Sequence, residues 1–132
     1  MRMPTIGLFT VGIVLLAGCG RTGSERDVRQ VAERFAAAVG ARDGATACGL
    51  LTADARQALE ADQQMSCSKA VVRLNVSPAR VRRVEVYVTS AAASYSGGGT
   101  VFLDDTTHGW RISAAGCHPR RFDQPEDCEV SA

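Results

Sequence analysis

Five side chains in the second half of the chain are the candidates for proton transfer. They are the phenols of Tyr87 and Tyr95, the imidazole of His108 and the adjacent carboxylates of Asp104 and Asp105. Tyr87 alternates out of phase with the neighbouring valines, which predicts a side chain facing solvent or a partner. His108 lies in a predicted turn with no third group to orient it, and adjacent turn aspartates usually bond their own backbone. We therefore expect no catalytic residue among them.

A thiol with a different chemistry, that of Cys19, closes an apolar segment near the start of the chain. Arg2 is the only charged residue before it, and the apolar run over residues 6–16 is too short to span a bilayer. Residues 16–19 read Leu-Ala-Gly-Cys and resemble the bacterial lipobox. The resemblance implies cleavage before Cys19, diacylglycerol on its sulfur and a fatty acid such as palmitate on the new amino terminus. The alternatives are an ordinary signal peptide with a chance cysteine and an uncleaved anchor.

The lipobox predicts three segments. They are a signal peptide over residues 1–18, a lipidated tether over residues 19–23 and a domain over residues 24–132. Each buried methylene of an acyl chain is worth ~0.8 kcal/mol, so two or three chains would hold the domain firmly at a membrane. We expect the protein on the extracytoplasmic face of the cell membrane.

Four cysteines remain after Cys19, and an even number in an oxidising compartment predicts two disulfides. Four cysteines allow three connectivities. We favour Cys48 with Cys67 and Cys117 with Cys128, because each pair is close in sequence and lies within one structural half. A zinc site with His118 as a further ligand is the rival interpretation, but the chain has no Cys-x-x-Cys pair. We expect no metal and no cofactor.

Charge and composition narrow the classes of partner. The chain has 15 basic and 14 acidic residues, a net charge of +1. A nearly neutral protein attracts the phosphates of nucleic acid only weakly, so we expect no nucleic-acid partner. A length of 132 residues excludes a large enzyme and a polytopic membrane protein. Lys69 is the only lysine among many arginines, a bias typical of GC-rich genomes that favours an actinobacterium-like host.

The spacing of apolar residues changes from helical to strand-like midway along the chain. Helices are predicted over residues 25–39 (ended by Gly40), up to residue 51 (capped by Asp43), 53–61 (capped by Thr52) and 69–74 (begun by Ser66 or Ser68). Strands are predicted over residues 84–89, 91–96, 101–103 and 110–114, with turns at 97–99 and 104–109. Val84, Val86 and Val88 are expected on one buried face. Residues 117–132 hold two prolines and are predicted to be a loop.

The order of helices followed by a meandering sheet resembles the NTF2-like (cystatin-like superfamily) fold. The chain is more narrowly similar to small actinobacterial lipoproteins of that fold, through Gly109, Trp110, Ala114, Ala115, Gly116, Cys117, Pro119, Pro125, Asp127 and Cys128. The resemblance implies an α+β domain whose N-terminal helices pack on a curved antiparallel sheet of about four strands. A homodimer through the sheet is also implied, although the predicted outward face is polar.

Two functions are compatible with these features. The first is a binding or interaction module at the cell envelope, with a protein partner or a small apolar ligand and a pocket lined by Phe35, Val84, Val86 and Trp110. The alternative is an NTF2-like enzyme of the isomerase or cyclase type that acts on a small hydrophobic substrate. An open cone between helices and sheet with converging acid and base groups would favour the enzyme, and a filled cone would favour binding. A purely structural envelope component is a third possibility.

Two groups of arginines could face anionic lipid headgroups. Arg80, Arg82 and Arg83 open the first predicted strand, and Arg120 and Arg121 lie in the tail. Each would contribute ~1 kcal/mol near such a surface. The alternative is a solvated strand edge that discourages aggregation.

Overall fold

The computed structural model describes residues 21–119 and 127–132, and the side chains from residue 24 onward. The helices come first and the sheet second, as predicted for an α+β domain. The helices are α1 (Arg21–Gly40), α2 (Gly44–Gly49), α3 (Ala53–Gln63) and α4 (Cys67–Ala70), followed by a 3₁₀ turn (Val71–Arg73). The strands are β1 (Val81–Val86), β2 (Ser90–Tyr95), β3 (Thr100–Thr106), β4 (Gly109–Cys117) and β5 (Val130–Ser131). The predicted signal peptide and Cys19 lie outside the described residues.

Helix α1 begins at Arg21, earlier than the predicted start at residue 25, so residues 21–23 of the predicted tether are helical. None of these residues is a proline, and a single glycine in a first turn costs only about 1 kcal/mol. The helix ends at Gly40, as predicted. Arg42 has a φ of 57° in the left-handed region and turns the chain into α2.

The short helices begin at side chains that accept hydrogen bonds from their first turns. Asp43 Oδ1 accepts from Thr46 N at 3.1 Å, and Thr52 Oγ1 accepts from Ala55 N at 3.1 Å. These are the caps predicted from the sequence. Helix α4 follows Ser66 but is shorter than predicted, because the chain tightens into the 3₁₀ turn before Leu74.

The five strands form an open antiparallel sheet in the order β1-β2-β3-β4-β5, in which each strand pairs with the next. The fifth strand is a correction to the predicted loop: residues 130–131 pair with Ala114 and Ala115. Strand β3 continues to Thr106, beyond its predicted end, because its last residues pair with the start of β4.

Strand β1 ends at Val86, not at residue 89 as predicted. Tyr87 N donates to Ser90 O at 2.8 Å and closes a hairpin. Val88 lies at the tip of this hairpin and is 95% exposed, so its predicted place on the buried face is wrong. Alternation of apolar and polar residues does not distinguish the last residues of a strand from the residues of the hairpin that follows it.

Extra residues in β1 and β4 bend the sheet. The register between β3 and β4 shifts twice, between Thr100 and Phe102 and again between Phe102 and Leu103, and β4 carries the extra residue each time. A further shift lies between Val81 and Arg83 in β1. Bulges of this kind increase local twist and curve a strand. The helices pack against one face of the curved sheet.

The core lies between the helices and this face. Its largest fully buried side chains include Phe35 and Leu59 from the helices and Leu103 and Ile112 from the sheet. Helix α1 is also fastened to the start of β1: Glu33 Oε1 accepts from Val81 N at 3.0 Å, and Arg29 Nη1 donates to Val81 O. No helix over residues 21–119 and 127–132 is both long and apolar enough to cross a bilayer.

Candidate functional site

The four cysteines of the domain form two disulfides with the pairing favoured from the sequence. Cys48–Cys67 joins α2 to α4 with 6.0 Å between the Cα atoms, and Cys117–Cys128 joins the end of β4 to the residues before β5 with 3.9 Å. These sulfurs are therefore not thiolate ligands for zinc. His118 instead extends the sheet through its backbone, with His118 N donating to Asp127 O at 2.8 Å. The described part of the chain contains no cluster of metal-ligating side chains.

The residues predicted to line a pocket between helices and sheet belong to the packed interior. Phe35 is fully buried, and Trp110 is 8% exposed. Val84 and Val86 are half-buried and pack against the same core. Together with Leu103 and other buried residues, these side chains form the hydrophobic core cluster.

Tyr95 is the one candidate proton donor in the interior. Its hydroxyl donates to the carbonyl of Ala32 in α1 at 2.8 Å. Burial, assisted by the negative charge of Glu33, raises the pKa of the Tyr95 phenol well above its ordinary value. The phenol is thus held neutral and bonded to the backbone. Tyr87 is 61% exposed at the hairpin tip, as its alternation predicted.

The remaining acid–base candidates lie around the turn between β3 and β4. His108 is exposed in this turn, where its ring Nδ1 contacts Thr107 Oγ1 at 3.2 Å and its backbone N–H donates to Thr106 Oγ1 at 3.1 Å. Asp104 and Asp105 lie in β3, not in the turn as predicted, opposite Arg111 and Trp110. No described hydrogen bond joins His108 to either aspartate or to Tyr95.

The arginines predicted to face lipid differ in their surroundings. Arg80, Arg82 and Arg83 are exposed at the start of β1. Arg83 Nη2 lies 2.6 Å from Glu85 Oε1, the one ion pair formed between side chains that the structure describes. Arg120 and Arg121 lie outside the described residues.

Two surface clefts meet at the end of α2. The first has a volume of about 390 Å³ and is lined by Gln30, Val31, Arg34, Thr46, Gly49, Leu50 and Arg111. The second, of about 420 Å³, is lined by Gly49, Leu51, Thr52, Ala53, Arg56, Thr106, His108 and Arg111. Both volumes fall in the range of small-ligand sites. Gly49 and Arg111 line both clefts, and the two together are called the arginine groove for Arg34, Arg56 and Arg111. A third cleft, of about 330 Å³, shares Gly49 and Arg56 with the second and has Glu60 in its lining.

Backbone pairing places Arg111 in this groove. The connection between α2 and α3 runs along the edge of β4: Ile112 N donates to Leu50 O at 2.8 Å, and Thr52 N donates to Ile112 O at 2.8 Å. The neighbouring Arg111 is half-buried, and its Nη1 donates to the carbonyl of Trp110 at 3.0 Å. The sequence does not predict this groove, because its three arginines lie far apart along the chain and share no regular spacing.

No family model, no curated protein and no solved structure matches this chain.

Proposed function

We propose that the protein is a lipoprotein anchored to the extracytoplasmic face of the cell membrane, where its domain acts as a binding or interaction module. We also assign the domain to the NTF2-like class, because helices that precede an antiparallel meander and pack on one face of a curved sheet are its arrangement. The proposed anchor is Cys19, and the proposed role of the domain is recognition at the envelope.

The observation that carries this proposal is that the four cysteines of the domain are paired in two disulfides. Of the five in the chain, four are consumed in two disulfides, which leaves Cys19 as the cysteine without a disulfide partner in the domain. Disulfides persist in exported proteins and are rare in reducing compartments. The paired cysteines therefore support export, and the remaining cysteine is the one that the lipobox sequence would lipidate.

The start of α1 supports a domain held close to the anchor. The helix begins at Arg21, two residues after Cys19. A link of this length spans about 7 Å when extended, so an acylated Cys19 would keep the domain next to the bilayer. Partners or ligands of the domain would then be met at the membrane surface.

Packing in the interior favours binding over the isomerase or cyclase alternative. Enzymes of that type need acid and base groups that converge in an open cavity. Here Phe35 and Leu103 occupy the interior, and the Tyr95 hydroxyl is engaged with Ala32. The accessible polar groups lie outside the core, in the surface clefts.

Lipidation is tested by metabolic labelling with an alkyne fatty acid in a host that processes lipoproteins. We expect the wild-type chain and a Gly18→Ala control, which keeps a small residue before the cut, to be labelled and to enter the detergent phase on phase separation. Cys19→Ser should be unlabelled and retain residues 1–18. A labelled Cys19→Ser variant, or an unlabelled wild type, would refute the anchor.

The binding role is tested on the lipoprotein purified gently from its host membrane. We expect native mass spectrometry to detect a species heavier than the denatured, acylated chain, because a recognition domain retains its ligand or partner. Equal masses in native and denaturing conditions would contradict the binding role and leave the anchor intact.

A further inference from the structure

We propose that the arginine groove binds a phosphate group, either of a soluble phosphate ester or of an anionic lipid headgroup. The inference deepens the binding role proposed above by naming the chemistry of the ligand. It rests on the three arginines that line the two clefts shared by Gly49, on the lack of acidic groups in the lining of those clefts and on the open space beside the glycine.

The positive charge of the groove is not balanced by its own lining. The described residues that line the two clefts include three arginines and no aspartate or glutamate. Asp104 lies opposite Arg111 in the sheet, yet the guanidinium of Arg111 turns to the Trp110 carbonyl instead. Glu60 lines the adjoining cleft together with Arg56, and its carboxylate accepts from Cys67 N at 2.9 Å. The two clefts of the groove itself therefore offer cationic donors with no carboxylate in their own lining.

The charge of Arg34 acts on Asp43, and the Asp43 carboxylate is already engaged in a hydrogen bond. It caps α2 by accepting from Thr46 N at 3.1 Å. Hydrogen bonds from Thr46, and to a smaller extent the charge of Arg34, lower the pKa of the Asp43 carboxyl. Asp43 does not line either cleft.

Backbone carbonyls hold two of the guanidinium groups and leave most of their donors unused. Arg56 Nη2 donates to Cys48 O at 3.2 Å, and Arg111 Nη1 donates to Trp110 O at 3.0 Å. A guanidinium has five N–H donors, so a single bond to a carbonyl orients the group without saturating it. Cys48 is fixed in turn by its disulfide to Cys67. The groove is thus built on constrained elements, which lowers the entropy cost of binding.

The number and placement of the charges favour phosphate over a carboxylate. One planar carboxylate is satisfied by one guanidinium in a bidentate pair. A tetrahedral phosphate presents oxygens on several sides and matches donors that approach from different walls. Arg34 lines one cleft, Arg56 lines the other, and Arg111 lines both. Arginines that line both clefts offer donors to more than one oxygen of a single phosphate.

Gly49 provides a way to close the groove without disturbing the fold. It is the last residue of α2, it is exposed, and a Cβ at this position would meet nothing within 4 Å. A glutamine at position 49 would therefore extend into the groove from an unstrained backbone. Glutamine is also a better helix former than glycine, so folding should be preserved.

The test is calorimetric titration of the full chain as the cell processes it. If the chain carries acyl groups, it is kept in micelles of an uncharged detergent. The probes are glycerol 3-phosphate, dihexanoyl phosphatidylglycerol and dihexanoyl phosphatidylcholine, the last being zwitterionic. Arg111→Gln removes the shared cation, Gly49→Gln fills the groove, and Arg83→Gln is the matched control that removes the same charge outside it.

We expect at least one anionic probe to bind, and Arg111→Gln and Gly49→Gln each to weaken its binding by about tenfold or more. Arg111→Gln removes charge-assisted hydrogen bonds to the ligand, and Gly49→Gln occupies the space that the ligand needs. Arg83→Gln should bind as the wild type does. Binding of glycerol 3-phosphate alone identifies a soluble ester, and binding of phosphatidylglycerol without phosphatidylcholine identifies a headgroup. The proposal is overturned if neither anionic probe binds, or if Arg111→Gln and Arg83→Gln weaken binding equally.

This test and the lipidation test fail independently. Absence of phosphate binding in a chain that is acylated at Cys19 would remove the ligand class and leave the anchor. Phosphate binding by a chain that is never acylated would remove the anchor and leave the groove.

Discussion

The buried phenol of Tyr95 links the stability of the domain to alkaline pH. At neutral pH its hydroxyl donates to the Ala32 carbonyl at 2.8 Å. Ala32 lies within α1, so its carbonyl also accepts a hydrogen bond from a backbone N–H in the next turn of the helix. In Tyr95→Phe this carbonyl therefore keeps one hydrogen-bond donor. A net hydrogen bond is worth about 1 kcal/mol. We expect Tyr95→Phe to lower the free energy of unfolding by about that amount from pH 7 to pH 9.

The sign of the effect reverses at higher pH. Burial raises the pKa of Tyr95 in the native state, while a tyrosine in the unfolded chain titrates near pH 10. Above about pH 10 the unfolded state has therefore lost a proton that the native state keeps, and the wild type loses about 1.4 kcal/mol of stability per pH unit. Phenylalanine does not titrate. The free energy of unfolding of the wild type should therefore equal that of Tyr95→Phe near pH 11 and be lower than that of Tyr95→Phe at higher pH.

Urea unfolding followed by the fluorescence of Trp110 measures both effects. Tyr87→Phe is the matched control, because it removes the same hydroxyl from a side chain that is 61% exposed at the hairpin tip. We expect its stability to follow the wild type at every pH. Parallel curves for wild type and Tyr95→Phe from pH 7 to pH 11 would show that the Tyr95 phenol is not held neutral by burial, and would refute the reasoning.

Three further perturbations test the packing. Replacing Cys48 and Cys67 together by serine should cost about 3 kcal/mol by urea unfolding, because the bridge closes a loop with a sequence separation of 19; an unchanged midpoint would contradict it. Gly116→Ala should destabilise the domain more than Gly109→Ala. Both glycines have a positive φ, 66° and 84°, so the backbone strain is similar. A Cβ at position 116 would in addition lie 2.2 Å from Glu129 Oε2, whereas a Cβ at position 109 would meet nothing within 4 Å. Equal thermal midpoints would refute the proposed contact. Leu103→Ala in the fully buried centre should cost about 2–5 kcal/mol, and a loss below 1 kcal/mol would mean that the core is looser than described.

Local signals in the sequence were sufficient for the caps and the disulfides. Asp43 and Thr52 were predicted as helix caps because a cap needs only an acceptor close to the first turn. The cysteine pairs were predicted from their closeness in sequence, and each bridge joins neighbouring elements. The same kind of reasoning misplaced Val88, because the alternation that predicts a strand continues into the hairpin tip.

Residues distant along the chain show the limit of that reasoning. The fifth strand is only two residues long, and it forms because the Cys117–Cys128 bridge returns the chain to the edge of β4. Its sequence alone carries too few residues for a period of two to be detected.

The α+β class and the order of elements follow from patterns that neighbouring residues create together, since hydrogen bonding and burial in helices and strands repeat over short distances. The resemblance of residues 16–19 to a lipobox is equally local and stays a prediction. The arginine groove depends instead on how α1, α2, α3 and β4 come together in space. Arg34, Arg56 and Arg111 are ordinary surface arginines in the sequence, and they acquire a common site because Ile112 pairs with the connection between α2 and α3. Charge acts through space, so a site of this kind has no signature until the chain is folded.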